Sequence, residues 1–66
     1  MIPPFDIFRV EMDGHLVWKG VAETLDLARL RIKILMVSEP AEYLIHSQQT
    51  GHRIIVKEDG SVKGRA

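Results

Sequence analysis

The chain is expected to be an α+β two-layer sandwich of order ββαββ, one helix packed on a four-stranded, mainly antiparallel sheet. Three observations predict this. One long segment, Thr24 to Ser38, carries helical periodicity. Two pairs of short runs rich in β-branched and aromatic residues flank it, and a glycine-containing turn signal separates the members of each pair.

The first run, Phe5 to Met12 (FDIFRVEM), follows Pro3-Pro4, which suit an extended lead-in better than a strand interior. Partial alternation sets Phe8, Val10 and Met12 on one face and Phe5, Ile7, Arg9 and Glu11 on the other. Asp13-Gly14 signals a two-residue type I′ turn, which needs positive φ at both central positions. His15 to Lys19 (HLVWK) returns as the second strand. Leu16 and Trp18 share the side expected to meet the core, since a large aromatic supplies much of a small interior. Gly20 to Glu23 then links to the helix.

Thr24 is a suitable N-cap, because its hydroxyl accepts from a first-turn amide that has no helical partner. Asp26 places a negative charge at the positive end of the helix dipole. Pro40 lacks an N–H and disfavours the α region at Glu39, so the helix should end near Ser38. Leu25, Ala28, Ile32, Leu35 and Met36 make one apolar face, suited to lying on a sheet. Leu27, Leu30, Ile34 and Val37 make a second stripe on nearly the opposite side. Asp26, Arg29 and Lys33 fill one gap between the stripes, and Arg31 and Ser38 the other. A helix covering a single sheet needs one apolar face, and a second one marks an interaction site.

Ala41 to Ser47 (AEYLIHS) and His52 to Lys57 (HRIIVK) read as strands three and four. Gln48 to Gly51 turns between them, with Gly51 the expected positive-φ residue. Two registers are open. A four-residue loop pairs Ser47 with His52 and gathers Tyr43, Ile45, Ile54 and Val56 on one face. A bulged three-residue loop pairs Gln48 with His52 and groups Leu44 and His46 with Ile54 and Val56. Strand orders 2-1-3-4 and 1-2-4-3 are likewise both open. The outer sheet face is expected to draw on Ile7, Arg9, Val17 and Lys19, with some of Arg53, Ile55 and Lys57. Residues 58–66 read as a flexible polar tail with a turn at Asp59-Gly60, leaving 1–57 as the single domain.

Length and composition bound the function classes. A chain of 66 residues buries only about 60% of the surface it exposes unfolded, so its own core is marginal. It has no cysteine, which removes disulfides and thiolate metal sites, and dimerisation is the remaining common way to add buried area. Nine Lys and Arg balance nine Asp and Glu, which argues against general nucleic-acid binding. No apolar run approaches a membrane span, and the start, MIPPFDIF, lacks the pattern of a secretory signal; a cytoplasmic location is the expectation.

The run FRVEMDGHLVWKGVAETLDLAR, followed by EPAEYLIHSQQTGHRIIV, resembles a group of small uncharacterised bacterial proteins. They share a strand, a turn, a strand ending in Trp-x-Gly, a Thr-capped helix, then a Tyr-containing strand closed by Thr-Gly. The likeness covers residues 5 to 57 and rests on turn, cap and strand residues. It implies the ββαββ plan and a bacterial, cytoplasmic protein, and it implies no activity.

No catalytic or cofactor motif stands out, and a non-enzyme without cofactor or metal is expected. His46 and His52 flank one turn and His15 adjoins the other, so at best two would serve one ion where zinc generally takes three or four protein ligands. Asp6, Glu11, Asp13, Glu39 and Glu42 lie at strand ends and turns without the spacing of a shared cleft. No glycine-rich strand-to-helix loop is present to hold a phosphate. The biological function is therefore unknown from sequence. The leading reading is a non-catalytic protein-interaction module that self-associates, as a homodimer, through Leu27, Leu30, Ile34 and Val37. The alternative is nucleic-acid binding on the open sheet face, with Arg9, Lys19, Arg53 and Lys57 contacting phosphates near Trp18 or Tyr43.

Overall fold

The computed structural model describes residues 4–58 and the backbone of 62–65. Its elements are β1 (Phe5–Val10), β2 (Leu16–Ala22), α1 (Leu25–Ser38), β3 (Glu42–Ser47), β4 (Arg53–Val56) and β5 (Val62–Arg65). The strands form one antiparallel sheet of order β2-β1-β3-β4-β5, with α1 packed on one side. The ββαββ plan and its α+β class are those expected, and the strand order is the first of the two alternatives.

The helix forms where its signals place it. Thr24 accepts from the Leu27 amide at 3.1 Å, and Glu39 closes the far end by donating its amide to the Leu35 carbonyl at 2.7 Å. Ala28 and Ile32 are fully buried, with Leu25, Leu35 and Met36 packed around them, so the predicted inner face is the real one. The second hairpin takes the four-residue loop. Ser47 and His52 bracket it, Gly51 turns it at φ 77°, and Tyr43 pairs with Val56 and Ile45 with Ile54.

Four details depart from expectation. The first hairpin closes on Glu11 and His15 and not through a two-residue I′ turn. Gly14 alone has positive φ, and its amide donates to the Glu11 carbonyl at 2.9 Å. Asp13 thus avoids a left-handed backbone that costs energy outside glycine. β2 also runs on to Ala22, through the stretch expected to be a linker.

The third departure decides which residues face the helix. Ile7 pairs with Gly20 but Phe8 pairs with Trp18, so Lys19 is an extra residue bulged out of β2. Gly20 supplies the positive φ, 150°, at the bulge. Beyond it the alternation reverses. Gly20 and Ala22 lie towards the helix, whereas Trp18 stands beside Phe8 on the opposite face and is 60% exposed. Ile7, expected outside, is buried against the helix in one row with Ile45 and Ile54. Trp18 and Leu16 are therefore not core, and Ile7 is not outer surface.

The fourth departure is β5. Val62–Arg65, in the segment expected to be a flexible tail, pairs with β4. Backbone hydrogen bonding along a free strand edge does not depend on apolar side chains, and lysine is common on such edges. The expected Asp59-Gly60 turn lies outside the described residues.

Candidate functional site

Two apolar surfaces and one charged cluster stand out. The first surface is the outer side of α1. Leu27, Leu30, Ile34 and Val37 are 45%, 53%, 65% and 86% exposed, and no other described segment covers them. They recur at three- and four-residue spacing and so form one continuous ridge. A helix with one face on a sheet has nothing to gain in the monomer from a second apolar ridge.

The second surface is the sheet face away from α1. Trp18, Phe8, Leu44 and Ile55 form a single cross-strand row there. Leu16 and Val10 pair in the next row, beside Glu42. Asp6, His46 and Arg53 form the row on the other flank.

The charged cluster sits at the C-terminal end of α1, on the helix side of the sheet. Lys19, pushed out by the bulge, donates to both carboxylate oxygens of Glu39 at 3.2 Å. Arg9 reaches Glu39 with Nη1 and Glu11 with Nη2. The buried Tyr43 donates its hydroxyl to the Glu39 backbone oxygen at 2.7 Å. Lys19's hydrogen bonds are the main reason that the Glu39 carboxyl titrates below the ordinary 4.5. Burial pushes the Tyr43 phenol above the ordinary 10.0. Glu11, by accepting from Arg9, holds that guanidinium protonated still more firmly. Together these groups lock the helix end to β1, β2 and β3.

Beside this cluster lies an open hollow of about 660 Å³, lined by Arg9, Glu11, Met12, Glu39, Pro40 and neighbouring residues. It forms because the first hairpin and the α1–β3 connection stand apart at one end of the sheet. Glu39 enters it as an ion-paired carboxylate, which leaves it ill suited to donate a proton at neutral pH.

The four cations expected to share a nucleic-acid surface are not brought together. Arg9 and Lys19 lie on the helix side, neutralised by Glu39 and Glu11, while Arg53 stands on the opposite face. Lys57 follows β4 and is exposed. No protein-family model, curated protein or solved structure matches the chain. The histidines remain apart in role: His46 lies 3.8 Å from Asp6, and His15 contacts Asp13 at 3.2 Å in the first turn. Among the described residues no three His, Asp or Glu side chains converge as metal ligands, and no helix is long and apolar enough to cross a membrane.

The sequence pointed directly to the helix ridge. It missed the Lys19–Glu39–Arg9 cluster, because that needs both the bulge and the position of the helix end. The signal available was Gly20 following an otherwise regular strand, since an isolated glycine there suggests a bulge.

Proposed function

We propose that this protein is a non-catalytic interaction module that associates with a second copy of itself through the outer ridge of α1. One observation carries the reading: Leu27, Leu30, Ile34 and Val37 are exposed together on a helix whose opposite face already satisfies the core. Removing a contiguous apolar ridge from water favours association at roughly 25 cal/mol per Å² before the cost of immobilising the partners. Cyclic twofold pairing is the commonest way in which soluble chains cover such a surface. The small size of the core adds to the case, because a second copy supplies buried area that 66 residues lack. A cytoplasmic setting belongs to the same reading, in keeping with the resemblance to small bacterial proteins.

Light scattering over a dilution series tests it with Ile34→Asp, a substitution on a side chain that makes no core contact. A charge there costs several kcal/mol in a dry interface but little in water. The variant should keep its fold and show a lower mass than the parent at every concentration above the dissociation range. Equal masses for the two chains would sink the reading.

A further inference from the structure

β1, β3 and β4 are apolar on both sides. Ile7, Ile45 and Ile54 face the helix, while Phe8, Leu44 and Ile55 stand in the adjoining row on the open face, extended by Trp18. A sheet covered on one side normally turns polar residues to water on the other. Here the middle row is aromatic and aliphatic, graded from Leu44, which is 9% exposed, through half-buried Phe8 and Ile55 to Trp18 at 60%. Its flanking rows carry Asp6 and Glu42 against Arg53, and β5 sets Lys63 beside Ile55 and Arg65 beside Arg53 in register. An acidic group in each flanking row does not suit a polyanion.

We infer that this face pairs with the same face of a second copy, sheet against sheet. The inference goes beyond the helix-mediated association and does not rest on it. The strand order suits a second copy as the occupant. β1 and β4 flank β3 on its two sides, and Asp6, His46 and Arg53 share one row across those three strands. A twofold axis running along β3 lays Asp6 over Arg53 of the second copy, and does so twice per pair. The same operation sets Phe8 against the second copy's Ile55, Trp18 against its Lys63 position on β5, and Leu44, Glu42 and His46 of β3 each against its own counterpart. Packed sheets lie about 10 Å apart with strands within roughly 30° of alignment, a gap that an arginine side chain spans.

The ions in question are ready for such a partner. Arg53 is exposed and makes no ion pair within the described chain. Asp6 accepts from the Gln48 side-chain amide at 3.1 Å and keeps lone pairs to spare. Size favours the face too. Five strands about 4.8 Å apart make a surface roughly 24 Å wide, against roughly 10 Å for one helix. That brings it nearer the roughly 800 Å² per partner of a stable interface. Because the ridge and the open face lie on opposite layers, a chain using both assembles past two copies.

The test is the solution mass of the parent, Ile34→Asp, Trp18→Lys and the double variant over a dilution series, with far-ultraviolet circular dichroism to verify folding. Trp18 is exposed, so the lysine leaves the core alone. Ile34→Asp should remain a two-copy species, and adding Trp18→Lys should weaken it at least tenfold. In the Ile34→Asp background, Asp6→Arg should weaken pairing at least tenfold, and adding Arg53→Asp should restore it. An Ile34→Asp chain that is monomeric throughout overturns the inference, as does a pair indifferent to both Trp18→Lys and the charge exchange. Salt-dependent capture of a labelled single strand by that monomer, with quenching of Trp18, would give the face to nucleic acid instead. If Trp18→Lys alone is monomeric while Ile34→Asp matches the parent, the sheet pairing stands and the helix reading fails.

Discussion

Ile32 and Ile34 are the same residue type two positions apart on one helix, and they live in opposite surroundings. Ile32 is 1% exposed, inside a cluster with Ile7, Tyr43 and Ile45, while Ile34 stands mostly in solvent. β1 repeats the contrast with Ile7 beneath the helix and Phe8 on the open face. In both elements the two sides are similarly apolar, so burial is decided by where a neighbour happens to lie. A small chain whose helix and strands are each greasy on two sides has built more apolar surface than one core can use.

The largest test of that contrast is Ile32→Asp. Burying an unpaired carboxylate should cost more than about 4 kcal/mol and leave the chain unfolded at ordinary temperature, as a lost thermal transition would show. A cooperative transition near that of the parent would mean that the helix does not seat on the sheet through this face. Tyr43→Phe probes the same buried side more gently. It removes the hydrogen bond to the Glu39 carbonyl and should lower stability by about 1 kcal/mol in denaturant titration.

Glu39→Gln is smaller again, and its mark is a change in pH dependence. The folded carboxyl titrates below 4.5, chiefly because Lys19 donates to it. Its stabilising contribution is therefore complete above that value and is lost as pH falls through the depressed folded one. The glutamine variant should give a flatter stability profile below 4.5 and fall nearest the parent at the acid end. A profile parallel to the parent's would show that the ion pairs do not form in solution. Least affected is the intrinsic folding of Ile34→Asp, expected to stay within about 0.5 kcal/mol once association is diluted away. A large loss there would place Ile34 in a core and erase the contrast with Ile32.

Most of the architecture was legible from residues because its determinants are local. Thr24, Asp26 and Pro40 bound the helix, Gly51 fixes the second turn, and Leu25, Ala28 and Ile32 select the inner helix face. The parity of the first hairpin was not legible. Ile7 and Phe8 are equally plausible inside, as are Leu44 and Ile45, and only the pairing of β1 with β3 makes Ile7, Ile45 and Ile54 one row. β5 escaped notice for a related reason, since a polar edge strand is held by backbone bonds that side-chain patterns do not report. The helix ridge was visible in its spacing. The open apolar row was hidden behind the wrong parity of β2.

The bulge at Lys19 works as a frameshift written into a strand. Residues before it and after it are read on opposite faces, so one position sets the destination of Leu16 and Trp18 together. Substituting Lys19 would leave that frame intact, and deleting it would set Trp18 next to Gly20, where plain alternation keeps the indole beside Phe8. Ironing the bulge out with Lys19 retained, by a Gly20→Val substitution that disfavours its positive φ, would pair Lys19 with Phe8 and turn the indole under the helix. A blue shift of tryptophan emission in the Gly20→Val chain, absent from Lys19→Ala, would reveal the exchange. The bulge in β2 therefore governs which face of this sheet is sticky, and Gly20, more than Lys19, is the residue that holds it.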